Sequence, residues 1–256
     1  MEILGKPPDR ATFDARLDAL IARNARASGG VIELLNIVGT RAEGLLERLP
    51  PEVRDRLGAA TERALHHAAE AAHGTRASVP ELPGWRARLL TTAMGAAGGM
   101  GGLPTALAEL PVTVTVLLRA IQDVAADHGF APTEPGVRFE SVAVFGSAGP
   151  LAADDGADLG LIGTRLTLTG ATLNALIARV APRLAAVLGQ KLAAQTVPVL
   201  GAAAGAATNY AYTRYYQDMA HVRFGLRRLA IEADRDMEEV IARFRARAAE
   251  RRVARG

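Results

Sequence analysis

The chain has 256 residues, 49% hydrophobic and 22% charged, with a formal net charge of +3 and no cysteine. That length suffices for one large domain or two small ones with a real core, and the missing cysteine excludes a disulfide framework, a zinc finger, a thiol nucleophile and cysteine-held iron–sulfur or haem. Aromatic residues make up only 4%, too few for a stacking platform that binds single-stranded nucleic acid.

Residues 9–28 are predicted to form an amphipathic helix. Phe13, Leu17, Leu20 and Ile21 recur at helical spacing, with charges between them, and Gly29-Gly30 ends it. A second apolar helix is read over 31–49, stopped by Pro50-Pro51, and a third over 52–73, closed by Gly74. Residues 74–84 read as a loop and as the best boundary, which sets 1–75 apart as an N-terminal helical segment.

From Trp85 the texture changes. Residues 89–108 carry no charge, and Gly95/Gly99 and Gly98/Gly102 are each four apart. On a helix this spacing lines one face with glycine and lets another backbone approach closely. Glycine also weakens a helix by roughly 1 kcal/mol per residue, so packing must compensate. Pro111 opens a helix that runs to His128 and closes at Gly129. Val112, Val114 and Val116 alternate like a short strand, but Leu117, Ile121, Val124 and Ala125 continue at helical spacing, and helix is the reading preferred. A loop over 130–136 leads to a short apolar segment, 137–148, and a second loop, 149–158. Residues 159–181 and 183–196 are helical patterns broken at Pro182, and Pro198 breaks the chain again. Residues 192–213 are uncharged and hold Gly201, Gly205 and Asn209 at four-residue steps. One long helix is expected over 225–253, striped by Leu226, Leu229, Ala233, Met237, Val240, Ile241 and Phe244.

The fold class is therefore all-α: an Ala/Gly-rich multi-helix bundle. It has a main domain over 80–232, the N-terminal segment, and a C-terminal helix extension with a basic tail over 233–256. Both uncharged stretches are long enough to cross a bilayer, which takes about 20 residues. Glycine, proline and threonine in the first, and Gln195, Pro198 and Asn209 among alanines in the second, leave both too weakly apolar. They are expected to pack as core helices.

Lys6 and Lys191 are the only lysines among 30 basic residues; with so much alanine and glycine this reflects a GC-rich genome rather than selection for arginine. Arg243, Arg245, Arg247, Arg251, Arg252 and Arg255 crowd the last 14 residues against Glu250 alone. The tail thus exceeds the charge of the whole chain, and the preceding body has no basic surplus to follow a phosphate backbone. Nucleic acid is excluded as a partner on this ground. The N-terminus carries Glu2, Lys6, Asp9 and Arg10 and no apolar signal segment, so a cytoplasmic location is expected.

Several blocks of residues occur together in order. Gly98-Gly99-Met100-Gly101-Gly102-Leu103-Pro104 leads to Ala108-Glu109-Leu110-Pro111, then to Leu118-Arg119-Ala120-Ile121-Gln122-Asp123. Val144-Phe145-Gly146-Ser147-Ala148-Gly149 follows, then Gln195 with Val197-Pro198-Val199-Leu200-Gly201, and finally Tyr216-Gln217-Asp218, Ala220, Phe224 and Arg227-Arg228-Leu229. Over roughly residues 80–232 this series resembles the EcsC protein family. The resemblance implies a helical, cytosolic bacterial protein of a family named for a locus that also encodes an ABC transporter; it implies no activity. Many family members carry histidine directly before the phenylalanine of the last block; here Arg223 stands there and His221 lies two positions earlier.

The charged residues inside these blocks are the candidate functional groups. Glu109, Asp123, Asp218 and His221 form a candidate set of metal ligands, with Asp218 and His221 on one helix face as in helical di-metal proteins. Arg119 and Gln217 are candidate ion-pair or ligand contacts. Buried ion pairs and helix-end contacts are the plainer reading of all of them. A second half-site, Glu62 with His66 and Glu70 with His73, reads more simply as a solvated polar face. The six tail arginines are the candidate membrane-surface group, since basic residues gain about 1 kcal/mol each beside an anionic leaflet. No P-loop, dinucleotide fingerprint or nucleophile elbow occurs. The sequence thus leads to a non-enzymatic interaction module at the cytoplasmic face of the inner membrane, meeting an anionic membrane surface or a membrane protein such as a transporter. The alternative is a metal- or small-ligand-binding helical protein, an enzyme included, using acidic residues from several helices. No cofactor is established; a divalent metal is the one the residues allow. Oligomeric state is not legible.

Overall fold

A computed structural model describes residues 7–37, 47, 49–74, 92–93, 110–146, 170–195 and 201–253. Among the described residues seven helices carry the fold: α1 (Arg10–Ile37), α2 (Pro51–Gly74), α3 (Leu110–Asp127), α4 (Pro135–Val144), α5 (Gly170–Gln195), α6 (Gly201–Glu232) and α7 (Met237–Val253). The fold is all-α, with no strand among the described residues.

Helix boundaries follow from capping chemistry where the sequence supplies it. Asp9 starts α1 by accepting the Thr12 amide at 2.7 Å, a bond that holds its carboxyl below the usual carboxylate range. Gly129 ends α3 as read, at φ +81°, with Phe130 N–H donating to the Ala125 carbonyl and Gly129 N–H to that of Ala126. That pair of bonds is the Schellman arrangement, which a left-handed glycine accommodates without Cβ strain.

Three boundaries differ from the expectation. α1 continues through Gly29-Gly30 to Ile37, since glycine only lowers helix propensity unless a left-handed cap is formed. α5 continues through Pro182, whose ring lies on the exposed side, so the backbone bond lost there faces water. The long helix expected over 225–253 is two helices. Asp234 at φ +50° ends α6 with a second Schellman turn, in which Arg235 N–H donates to the Ala230 carbonyl and Asp234 N–H to that of Ile231. Asp236 then starts α7 by accepting the Glu238 amide at 2.7 Å. The expected apolar stripe survives, folded back at this turn.

α6 is the spine shared by two hydrophobic clusters. The larger gathers α2, α3, α4 and α5 around the Ala211–Phe224 stretch of α6, with Leu65, Ile121, Phe145, Ile177, Tyr215 and Tyr216 fully buried. The smaller is a three-helix cluster: Phe13, Leu17 and Ile21 of α1, Val222, Leu226 and Leu229 of α6, and Val240, Ile241 and Phe244 of α7. The N-terminal helices are therefore built into both cores, α1 along α6 and α2 against α3 and α5.

Charge closes the smaller cluster at its rim. Arg243 donates to Asp14 at 3.0 Å, Arg247 donates through two nitrogens to Asp18, and Arg251 meets Asp18 at 2.8 Å. Arg16 and Arg228 both donate to Glu232. The Arg247 hydrogen bond, with the charges of Arg247 and Arg251, holds the Asp18 carboxyl below its ordinary range. Burial raises the Glu232 carboxyl, but the bonds from Arg228 and Arg16 outweigh it and the net shift is downward. Both carboxylates are thus more acidic folded than unfolded, and what they contribute is present above about pH 5 and lost as pH falls through the lowered values. Amide exchange of α7 should accelerate below about pH 4 before that of α3; equal acceleration in both helices would show that the rim does not hold α7.

Candidate functional site

Four of the eight buried polar residues among the described ones lie along α6: Asn209, Thr213, Gln217 and Arg223, set among apolar neighbours. Burying such groups costs free energy unless they are partnered, so their partners define what the seam can do. Three places along it stand out.

Near the start of α6, Asn209, Tyr212, Thr213 and Tyr216 face Thr113 and Leu117 of α3 and Val187 and Leu188 of α5 around a cavity of about 10 Å³, the room of one water molecule. The Tyr212 and Tyr216 hydroxyls are fully buried and have no hydrogen-bond partner among the described residues. Burial pushes both hydroxyls well above the ordinary tyrosine range, with the neighbouring Tyr215 adding to it, so they remain neutral.

In the middle, His221 of α6 meets His128, the residue following α3. Nε2 of His128 lies 3.1 Å from Nδ1 of His221, with the rings inclined by 67°. Burial pulls the His128 pKa below its ordinary value; Asp127 opposes this, while Arg228 and Arg23 add to it. A neutral His128 leaves one nitrogen as acceptor and the other as donor, as an imidazole pair requires. Asp218, one turn before His221, faces Arg23 at 3.7 Å and Arg214 at 3.9 Å.

Further along, the Arg223 guanidinium is 6% exposed and its Nε donates to Glu140 of α4 at 3.3 Å. Arg227 donates to the other oxygen of Glu140 at 3.0 Å and stacks over the Phe130 ring at 4.4 Å. Two guanidinium groups thus share one carboxylate. Burial lowers the Arg223 pKa, and the charge and hydrogen bond of Glu140 act against it.

The residues singled out from the sequence are only partly gathered here. Asp218 and His221 share a face of α6, Gln217 is buried beside them, and Arg119 and Asp123 are half-buried on α3. Among the described residues no three His, Asp or Glu side chains come together to hold a metal ion. Glu109 lies outside the described residues, as does Arg255. On α2, His66 is half-buried and Glu70 exposed. Arg243, Arg247 and Arg251 face α1, Arg245 is exposed, and Arg252 falls in the last turn of α7.

His128 and Glu140 were not singled out as a site. His128 was legible only as a residue suited to a helix C-terminus, and its partner lies 93 residues away. Of the two uncharged stretches, 89–108 lies outside the described residues except for two helical positions. In 192–213, Leu192, Ala193, Asn209, Ala211, Tyr212 and Thr213 are buried. No helix among the described residues is long and apolar enough to cross a membrane.

A helical bundle with a buried polar spine is the class of protein that this geometry defines. The family model described as the EcsC protein family matches residues 84–229, more than half of the chain. The chain belongs to the EcsC protein family. The match takes in α3, α4, α5 and nearly all of α6, and so the whole polar seam; α1, α2 and α7 lie outside it. No curated protein and no solved structure matches the chain.

Proposed function

We propose that this protein is a non-enzymatic interaction module that works at the cytoplasmic membrane surface, beside a membrane protein such as a transporter. The observation behind this reading is the division of the α7 arginines into two sets. Arg243, Arg247 and Arg251 are turned toward Asp14 and Asp18 and hold the helix to the body. Arg245 is exposed, and Arg252 follows seven residues on in the sequence. We take Arg245, with Arg252 and Arg255, as the part of the basic tail that meets an outside anion. Three arginines near an anionic leaflet contribute about 3 kcal/mol, roughly 100-fold in partitioning.

The division also fixes the test. Cutting the chain at Arg243 would remove the buried Phe244 and the pairs to α1, whereas R245E/R252E/R255E leaves both in place. The intact chain should sediment with phosphatidylglycerol-containing vesicles and not with phosphatidylcholine alone. The triple variant should keep the intact circular dichroism and lose roughly 100-fold in partitioning. An intact chain that ignores anionic vesicles, or a triple variant that binds them equally well, overturns the reading.

A further inference from the structure

We propose that His128 and His221 form a two-imidazole clamp for a borderline divalent cation, Zn²⁺ fitting best by ligand type. The inference is independent of the membrane reading and starts from how firmly the two rings are placed. His221 sits on the continuous helix α6. His128 is fixed by the turn at Gly129, and its carbonyl accepts a hydrogen bond from Arg228 at 2.9 Å. Rings held on rigid elements are the precondition for a metal site.

Their nitrogens are 3.1 Å apart. Two imidazole nitrogens at about 2.0–2.1 Å from a tetrahedral Zn²⁺ lie about 3.3 Å from each other. The cation would therefore replace the shared hydrogen with the nitrogens parting by a few tenths of an ångström and each ring turning by roughly 35° so that its lone pair meets the ion. Arg23 and Arg228 oppose a cation here, while Asp127 next in the chain, Asp218 one turn from His221, and Glu232, which holds Arg228, act the other way. Because no third His, Asp or Glu converges among the described residues, water completes the coordination.

The position gives the clamp a consequence for the fold. A Cβ at Gly225 would lie 3.5 Å from His128 and 2.7 Å from Leu20 of α1, so the pair sits where α1, the end of α3 and α6 meet. An ion bound there ties the larger hydrophobic cluster to the smaller one.

The experiment is a ZnCl₂ titration of the full chain at neutral pH, followed by calorimetry and by thermal unfolding. One equivalent should bind and raise Tm, since a ligand that binds only the folded state stabilises it. H128Q and H221Q should each weaken binding tenfold or more, while H66Q/H67Q/H73Q on α2 should bind like the intact chain. Co²⁺ in place of Zn²⁺ gives a second readout: a visible band in the intact chain and in the α2 variant, absent from H128Q and H221Q. No binding by the intact chain, or binding and Co²⁺ spectra unchanged in both H128Q and H221Q, overturns the proposal. Loss in the α2 variant alone would move the metal to α2 and overturn it as well.

Discussion

Replacing Glu140 by alanine should cost about 3–5 kcal/mol of folding stability, the range found when one partner of a buried ion pair is removed. Glu140 is the shared carboxylate of Arg223 and Arg227, and the Arg223 guanidinium is almost completely shielded from water. Without Glu140 the Arg223 charge stays buried with no carboxylate facing it, and the loss of that partner dominates the cost. Arg227 is more exposed and keeps its contact with Phe130, so it contributes less. The companion variant separates the lost partner from lost packing. R223M/E140M removes both charges and retains apolar bulk, and it should recover most of the loss, since apolar replacement of a whole buried pair is often neutral or better. Urea denaturation of the three proteins measures this. A loss below about 1 kcal/mol for E140A would place Arg223 in contact with water after all.

Phe244→Ala should remove about 3–5 kcal/mol of packing, as for other buried phenylalanines. The loss should not spread evenly. Phe244 is one of ten buried residues in the smaller cluster, the Phe13 ring of that cluster is flanked by Arg235 and Arg243, and the buried apolar residues of α7 all belong to it. A helix held by one small cluster can open by itself at less free energy than global unfolding. Amide protection over 237–253 should collapse in this variant, while α3 and α5 stay within severalfold of the intact protein. Equal loss of protection in α3 would mean that the two clusters unfold as one.

Much of the helix content was readable because helical periodicity and caps are local. Pro111, Gly129 and Gly74 stand at or next to the ends where the sequence set them. The misplaced ends have a common physical cause. Gly29-Gly30 and Pro182 are residues that can end a helix but need not, and neighbouring turns decide. The turn at Asp234 was missed because aspartate only occasionally adopts the left-handed conformation. Its local signal was Asp236 followed by Glu238 and Glu239, a helix start with acidic first-turn residues. The site was less legible. The shared face of Asp218 and His221 follows from their spacing, yet the partners of the seam do not. His128 to His221, Glu140 to Arg223 and Asp18 to Arg247 span 93, 83 and 229 residues, and only the folded topology brings them together. The basic tail illustrates the same limit: composition showed the excess of arginine, and three of those arginines turn out to face carboxylates at the other end of the chain.

The pairing of α1 with α7 sets the order of events during biosynthesis. Asp18 leaves the ribosome 229 residues before Arg247, its partner on α7. Domains assemble as units from the end made first, yet this contact cannot close until α7 has been made. A nascent chain halted anywhere before α7 therefore presents the apolar flank of α1 without the cover that α7 supplies, and chaperones would meet that surface until α7 emerges.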